Sequence, residues 1–467
     1  MKKIILIVLT FLFTVVCVAG NGLTFNLAEN QKAENTYSFN LAGSSSFHII
    51  VAKNRDSRDY DVIPFFSDSS GNVIKMAQTS VTDKPDFTAA HIYNGAITAI
   101  SQGKGELLVI DYNIMNGSIS HKKIDGFDEA VATFFDDNRT LILHEVPKGD
   151  DLVLQIIKNG SEITTIPVPL DKETATEYYG MMRMGSDVIN TQEYVKNSSL
   201  KPTRIYLEDN SIIIANDDKV NHTTKALIID SKTGKARFMQ YEVYKENYKQ
   251  LSSFISGNRL FAMNSNKKAL TINIFAIATG EKQASFSLRE ELSMYMGGKD
   301  IDKYLNSIHK SDMKPTLTVN RFGNNYSLRV DAVDINTYYY YDWWFFHNFM
   351  WQQQMMMQQQ QQMMQNHIRN MNIYRGPSQD IYNVPYFVLP AEEDLSFTIP
   401  LDGNLKLMEQ GSDSNTDYHY VDKQEKTKQF SENKSIKNFS ACFGAESISY
   451  IYMDKKSDVF TIDRIDY

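Results

Sequence analysis

Cysteine is almost absent from this chain: Cys17 and Cys442 are the two in 467 residues. The first lies in a segment read as a leader, so an exported mature chain would keep one cysteine and form no internal disulfide. Stability must then come from an apolar core, which a mature chain of about 445 residues is long enough to bury. Long apolar runs are equally scarce. The single one spans residues 4–16, behind Lys2 and Lys3, with small residues following at Ala19 and Gly20. At about 13 residues it is too short to cross a bilayer, which takes roughly 20. The basic start, apolar centre and small-residue end predict a cleaved signal peptide of bacterial type over residues 1–19. Val16 precedes Cys17 where a lipid-attachment site wants a small residue, which disfavours a lipoprotein. No second apolar run follows, so no membrane-spanning segment is expected after the signal is removed. The expected destination is the periplasm, the outer surface or the medium.

Positive charge is also in short supply. The formal charge of -8 becomes about -10 without Lys2 and Lys3. No basic patch stands out, and nucleic acid is therefore not an expected partner. Catalytic signatures are missing as well: there is no Gly-x-Ser-x-Gly elbow, His-Glu-x-x-His helix, phosphate-binding glycine loop or paired-cysteine motif. The acidic pairs Asp136 with Asp137, Asp150 with Asp151, and Asp217 with Asp218 fall in expected turns. His91, His121, His144, His222 and His419 show no ligand or triad spacing. These absences favour a non-enzymatic protein.

What is present is a repeat. Four segments align on an Asn just before an apolar strand, with a second apolar strand and a Gly turn after it. They are marked by Asn94 and Gly117, Asn138 and Gly160, Asn210 and Gly234, and Asn258 and Gly280. Asn and Gly are the residues that let a hairpin backbone reach positive φ. Each unit reads as four antiparallel strands in roughly 40 to 50 residues, the pattern of a propeller blade. The chain resembles β-propeller repeat proteins, most closely those with an Asp-x-x-Thr-Gly-Lys hairpin, here Asp230, Thr233, Gly234 and Lys235. It has no Trp-Asp or Gly-His signature that would name a subfamily. The resemblance implies an all-β fold filling residues 20–467. Weaker copies near residues 47–78, 317–399 and 439–462 extend the count to six, seven or eight blades, seven fitting best. The last copy lacks a strand, and residues 37–41 are expected to supply it and close the ring. The competing architecture is a pair of β-sandwiches.

Three stretches break the repeat: residues 169–200, 290–313 and 333–383. The first two lie between blades and the third interrupts a blade after its second strand. In an up-and-down sheet those connections share one end, so all three should rise from one face of the disc. They hold 13 of the 20 methionines. The candidate interaction residues are Met181, Met182, Met184, Met294 and Met296, with Trp343, Trp344, Phe349, Met350, Trp351, Met356, Met357, Met363, Met364 and Met371 in the longest insertion. Seven-residue spacing from Trp343 to Met371 predicts a helix with one apolar stripe, about 43 Å long at 1.5 Å per residue. Its other faces are Gln-rich and uncharged, a composition of low complexity.

Flexible thioethers suit adaptable contact with apolar partners. The leading expectation is an exported binding or scaffold module that docks an unknown protein or envelope component on this face, with no cofactor. One alternative is a propeller enzyme acting on carbohydrate at the central channel. Another is a Cu(I)-binding protein, since soft thioethers select such ions, with His347 and His367 as added ligands.

Overall fold

The computed structural model describes residues 22–41, 45–103, 105–125, 130–136, 138–146, 151–183, 185–189, 200–242, 250–310, 313–334, 395–409, 433–443 and 447–466, with the single residues 191, 195 and 430. Strands dominate because the apolar runs are short, rich in β-branched and aromatic residues, and closed by Asn, Asp or Gly. Among the described residues they form seven sheets that follow one another in chain order. Blades 1 to 6 fall within residues 31–81, 87–125, 130–168, 203–242, 250–287 and 313–401, and blade 7 is built from residues 436–466 with an N-terminal strand. This is a seven-bladed β-propeller.

Burial follows from the stacking of blades. The second strand of blade 5, Arg259–Ser265, is buried at every position after its first, because neighbouring blades cover both of its faces. The outermost strand of blade 4, Ala236–Glu242, keeps one buried residue and is otherwise exposed or half-buried at the rim. The apolar core is therefore divided among the seams. Ile451 and Phe460 of blade 7 meet Ile50 and Phe65 of blade 1. Other shared clusters join blades 1 and 2, 2 and 3, 3 and 4, and then 4, 5 and 6 together. Blade 6 turns Leu317 and Val330 to blade 5, while its opposite face carries Lys314, Thr316, Thr318 and Asn320.

The turn chemistry explains where the repeat's small residues fall. Asn94 and Asn258 sit at positive φ, 48° and 60°. In blade 4 the neighbouring Asp209 takes that conformation, at 51°, in place of Asn210. Asp230 accepts from the N–H groups of Lys232 and Thr233 and closes the hairpin in which Gly234 stands at φ 71°. A methyl group at Gly234 would meet the Pro167 carbonyl oxygen of blade 3 at 2.2 Å, so both the turn and the neighbouring blade require glycine.

Ring closure differs from the expectation. The missing strand of blade 7 is Leu23–Asn26, paired antiparallel with Val459–Asp466 from Leu23 opposite Ile462 to Asn26 opposite Val459. Residues 37–41 belong instead to Gln31–Leu41, the innermost strand of blade 1, where Phe39 is 1% exposed. The physical reason is burial: Tyr37, Phe39 and Leu41 fill the seam between blades 1 and 2, whereas Leu23 and Phe25 cover only an edge.

Among the described residues two helices interrupt the strands. α1 (Lys172–Met182) lies in the first insertion, its N-terminus capped by Asp171, whose Oδ1 accepts from the Thr174 N–H at 2.8 Å. α2 (Gly298–Ser307) follows a 3-10 turn at Glu291–Met294 in the second insertion. The third leaves from Asn325–Asp334 and returns at Phe397–Leu401. Links between blades, and links from second to third strands, leave the same end of alternating sheets. All three insertions therefore rise from one end of the ring, called here the insertion end.

Candidate functional site at the insertion end

The first insertion does more than cover the ring. α1 buries Ala175, Tyr178 and Met181 against blades 3 and 4. The Tyr178 hydroxyl donates to Glu145 Oε1 at 2.7 Å, and burial followed by that carboxylate pushes the phenol far above its ordinary range. Lys225 Nζ lies 2.8 Å from Glu177 and ties the helix to blade 4. The chain then forms Ser186–Ile189, which pairs parallel with Thr203–Glu208. Thr203–Glu208 is the innermost strand of its blade, so the added strand lies inside the central channel. Lys201 Nζ holds it there, 2.6 Å from Asp187 Oδ1 and 3.1 Å from the Ser186 carbonyl oxygen.

Two further described residues of this plug are held by the ring. Thr191 Oγ1 donates to Glu208 Oε1 at 2.8 Å, near the far end of blade 4's inner strand. Burial pushes the Glu208 carboxyl up, against the hydrogen bonds it accepts from Thr191 and Asn258. Val195 is then gripped by blade 6: its N–H donates to Asn320 Oδ1 at 2.7 Å, and Asn320 Nδ2 donates to its carbonyl at 2.8 Å. Both main-chain polar groups of Val195 are thus satisfied although it is 1% exposed. The chain's own backbone thus enters the channel beside blade 4 at Ser186–Ile189 and is held by blade 6 at Val195. Nothing in the local sequence announced it; the one available signal was the four-residue apolar alternation at residues 186–189.

Over blades 5 and 6, α2 and the 3-10 turn bury Leu292, Tyr295, Met296, Ile301, Tyr304 and Leu305. The Tyr304 ring meets Phe397 edge-on at 5.6 Å, and the Tyr295 hydroxyl donates to the Met408 carbonyl. Of the candidate methionines, Met181 and Met296 are buried, Met182 is half-buried against blades 3 and 4, and Met294 is 57% exposed. Met181 follows Tyr178 by three positions and so shares its core-facing side of the helix. Met184 lies outside the described residues, as do Trp343, Trp344, Phe349, Met350, Trp351, Met356, Met357, Met363, Met364 and Met371, with the helix expected over them.

Beneath the insertions the polar groups are held in pairs. Arg204 Nη1 lies 3.1 Å from Asp217 Oδ2 and donates to the Ser253 carbonyl, linking blades 4 and 5. Asp217 also accepts from the Ser253 N–H at 3.0 Å and from Thr224 Oγ1 at 3.1 Å. Burial works against the guanidinium's charge, but Asp217 outweighs it and holds Arg204 above its ordinary range. Asp331 accepts from Arg329 Nε at 2.9 Å and from Ser396 Oγ at 2.7 Å. Each carboxylate is occupied by its own arginine, an arrangement that fixes the blades. Among the described residues no group of three or more His, Cys, Asp or Glu side chains could hold a metal ion.

No protein-family model matches the chain, and no curated protein does. Among solved structures it is similar to the Dos1 propeller, at 10% identity over 68% of this chain and 72% of that one, with a TM-score of 0.31. It is also similar to variants of the Synechocystis apocarotenoid oxygenase, one at 9% identity over 56% of this chain with a TM-score of 0.28. The cobalt-substituted form of that oxygenase aligns at 8% identity with the same score. The likeness is one of fold alone. The chain spans less than two thirds of the oxygenase, 63% of its length.

Proposed function

We propose that the protein is an exported, non-enzymatic binding module whose partner, a protein or envelope component, docks on the insertion end. The observation that supports this reading is that all three insertions leave the ring from one end. Their described parts are anchored through buried Tyr178, Met181, Tyr295 and Tyr304, which makes a firm platform. Tyr179 of α1, Val220 in a turn of blade 4 and Met294 remain exposed there, at 39%, 85% and 57%. Rigid presentation of apolar side chains lowers the entropy lost on docking. A carbohydrate enzyme working in the channel would need room that the strand Ser186–Ile189 takes up.

A photo-crosslinking amino acid placed singly at Val220 or Met294 tests the reading in cells that make the protein. Met115 serves as control: it is 89% exposed in a turn between third and fourth strands, at the opposite end. One specific adduct from Val220 and Met294, and none from Met115, is the expected result. The same adducts from both ends, or none from any site, would overturn it. Deleting residues 338–372 then assigns the long insertion: loss of the adduct with the fold retained makes that stretch part of the docking surface.

A further inference from the structure

Three turns of the ring carry an asparagine followed directly by glycine: Asn94 with Gly95, Asn116 with Gly117, and Asn159 with Gly160. A further such pair begins at Asn21, outside the described residues. Glycine has no side chain to hinder approach, so its main-chain nitrogen can attack the preceding asparagine's amide carbon. The fold decides whether it does. The attacking N–H must be unbonded, so that base can take its proton, and the asparagine amide must be able to turn toward it.

At Asn159 both conditions fail. The Gly160 N–H donates to Asp111 Oδ2 of blade 2 at 2.8 Å. Asn159 Oδ1 accepts from the Ser161 N–H at 2.9 Å, Ser161 Oγ at 2.8 Å and the Glu162 N–H at 2.7 Å. Asn116 is held as well: the Gly117 N–H donates to the Asn113 carbonyl at 3.0 Å, and Asn116 Oδ1 accepts from the Ser118 N–H at 2.9 Å.

Asn94 differs. With Gly95 it forms the tight loop between Phe87–Tyr93 and Ala96–Gln102, the inner and second strands of blade 2, with Tyr93 opposite Ala96. The two residues stand at positive φ, 48° and 74°, the pattern of a type I′ hairpin. Both are exposed, and nothing lies within 4 Å of where a Gly95 side chain would begin. The loop is tied down through an oxygen: the Ile114 N–H donates to the Gly95 carbonyl at 3.1 Å. Among the described residues no hydrogen bond holds the Gly95 N–H or the Asn94 side-chain amide.

We infer that Asn94 is a deamidation site of the folded protein, and that the fold protects Asn116 and Asn159 from the same reaction. Base takes the Gly95 amide proton, and the nitrogen bonds to Asn94 Cγ. The Cγ–Nδ2 bond breaks, and Nδ2 leaves as ammonia with a proton returned from the base. Water then opens the cyclic imide at one of its two carbonyls, giving aspartate or isoaspartate. The isoaspartyl product adds a main-chain carbon to the loop and cannot keep Tyr93 opposite Ala96. This turn lies at the end of the ring opposite the insertions, so the inference does not depend on the docking surface proposed above.

The experiment incubates the full mature chain in mildly alkaline buffer, native and in urea. The mass gain of amide-to-acid conversion is followed at each asparagine by peptide mass spectrometry. In urea the three pairs should react at similar rates, because glycine follows each. In the native chain Asn94 should react faster than Asn116 and Asn159 by about ten-fold, the combined worth of the hydrogen bonds that must open at those turns. Asp111→Ala frees the Gly160 N–H and should speed native Asn159 by about five-fold, the value of one hydrogen bond, with Asn94 unchanged. Native Asn116 or Asn159 keeping pace with Asn94 would overturn the inference. So would a native Asn94 that stays intact while it reacts in urea.

Discussion

His48 gives the fold a built-in acid sensitivity whose size follows from its surroundings. It is 0% exposed in the seam between blades 1 and 7. Its Nδ1 lies 2.8 Å from Ser38 Oγ, and its Nε2 lies 2.8 Å from Ser449 Oγ and 3.1 Å from Ser46 Oγ. Hydroxyls can serve either protonation state, but none of these partners carries a compensating charge. Burial alone therefore pushes the imidazole pKa from 6.5 down to about 3. The sign follows. The folded pKa lies below the unfolded one, so the neutral ring's contribution is complete above pH 6.5 and is lost as pH falls toward 3. Between those limits the unfolded chain binds one more proton, and stability falls by about 1.4 kcal/mol per pH unit. The loss reaches about 2 kcal/mol by pH 5 and on the order of 4 kcal/mol near pH 3, a large share of a typical domain's 5–15 kcal/mol.

Urea unfolding of wild type and His48→Gln from pH 7 to pH 4 isolates the effect, because every other titrating group cancels in the difference. At pH 7 the variant should be less stable, having lost ring packing and hydrogen bonds. That gap should shrink by about 2 kcal/mol between pH 7 and pH 5, since glutamine takes no proton. A gap that stays constant across the range would refute the assignment of the acid response to His48.

Three further outcomes are expected. Phe25→Ala removes a half-buried ring that meets Phe65 edge-on at 5.3 Å in the closing strand; it should cost about 2 kcal/mol and raise amide exchange across Val459–Asp466, whereas unchanged exchange there would contradict closure by Leu23–Asn26. Asp217→Asn leaves Arg204 buried without its counter-charge and should cost about 3–5 kcal/mol in urea unfolding. The double change Arg204→Met with Asp217→Leu should cost less than the sum of its parts, and additive costs would speak against a coupled pair. Asn320→Ala frees the N–H and carbonyl of Val195 inside the ring, for about 1–3 kcal/mol; native-state proteolysis should then cut between Ile189 and Thr203, and continued resistance would mean the plug is held by other contacts.

The points where the insertions leave the ring are legible in the chain alone, because that signal is local. The insertions interrupt a regular repeat, and the alternation of strands sends all three to one end without reference to any side chain. Which methionines stay available is another matter. Met181 and Met296 share the type and neighbourhood of Met294, yet they point into seams between blades, because a helix shows each face to a different environment.

The sequence by itself determined the strands, their hairpins and the propeller class, because a period of two, β-branched residues and Asn or Gly at turns act over a few positions. Even single glycines were legible, as at Gly234. Tertiary structure decided what joins the blades. His48 meets Ser449 across 401 positions, and Asn320 grips Val195 across 125. In the sequence His48, Ser449 and Asn320 are polar residues within apolar strands, indistinguishable from residues that face water. The choice of Leu23–Asn26 to close the ring and the placing of Ser186–Ile189 and Val195 inside it were settled the same way. Each depends on which buried edge is left unpaired after the other blades have assembled, and no local pattern carries that information.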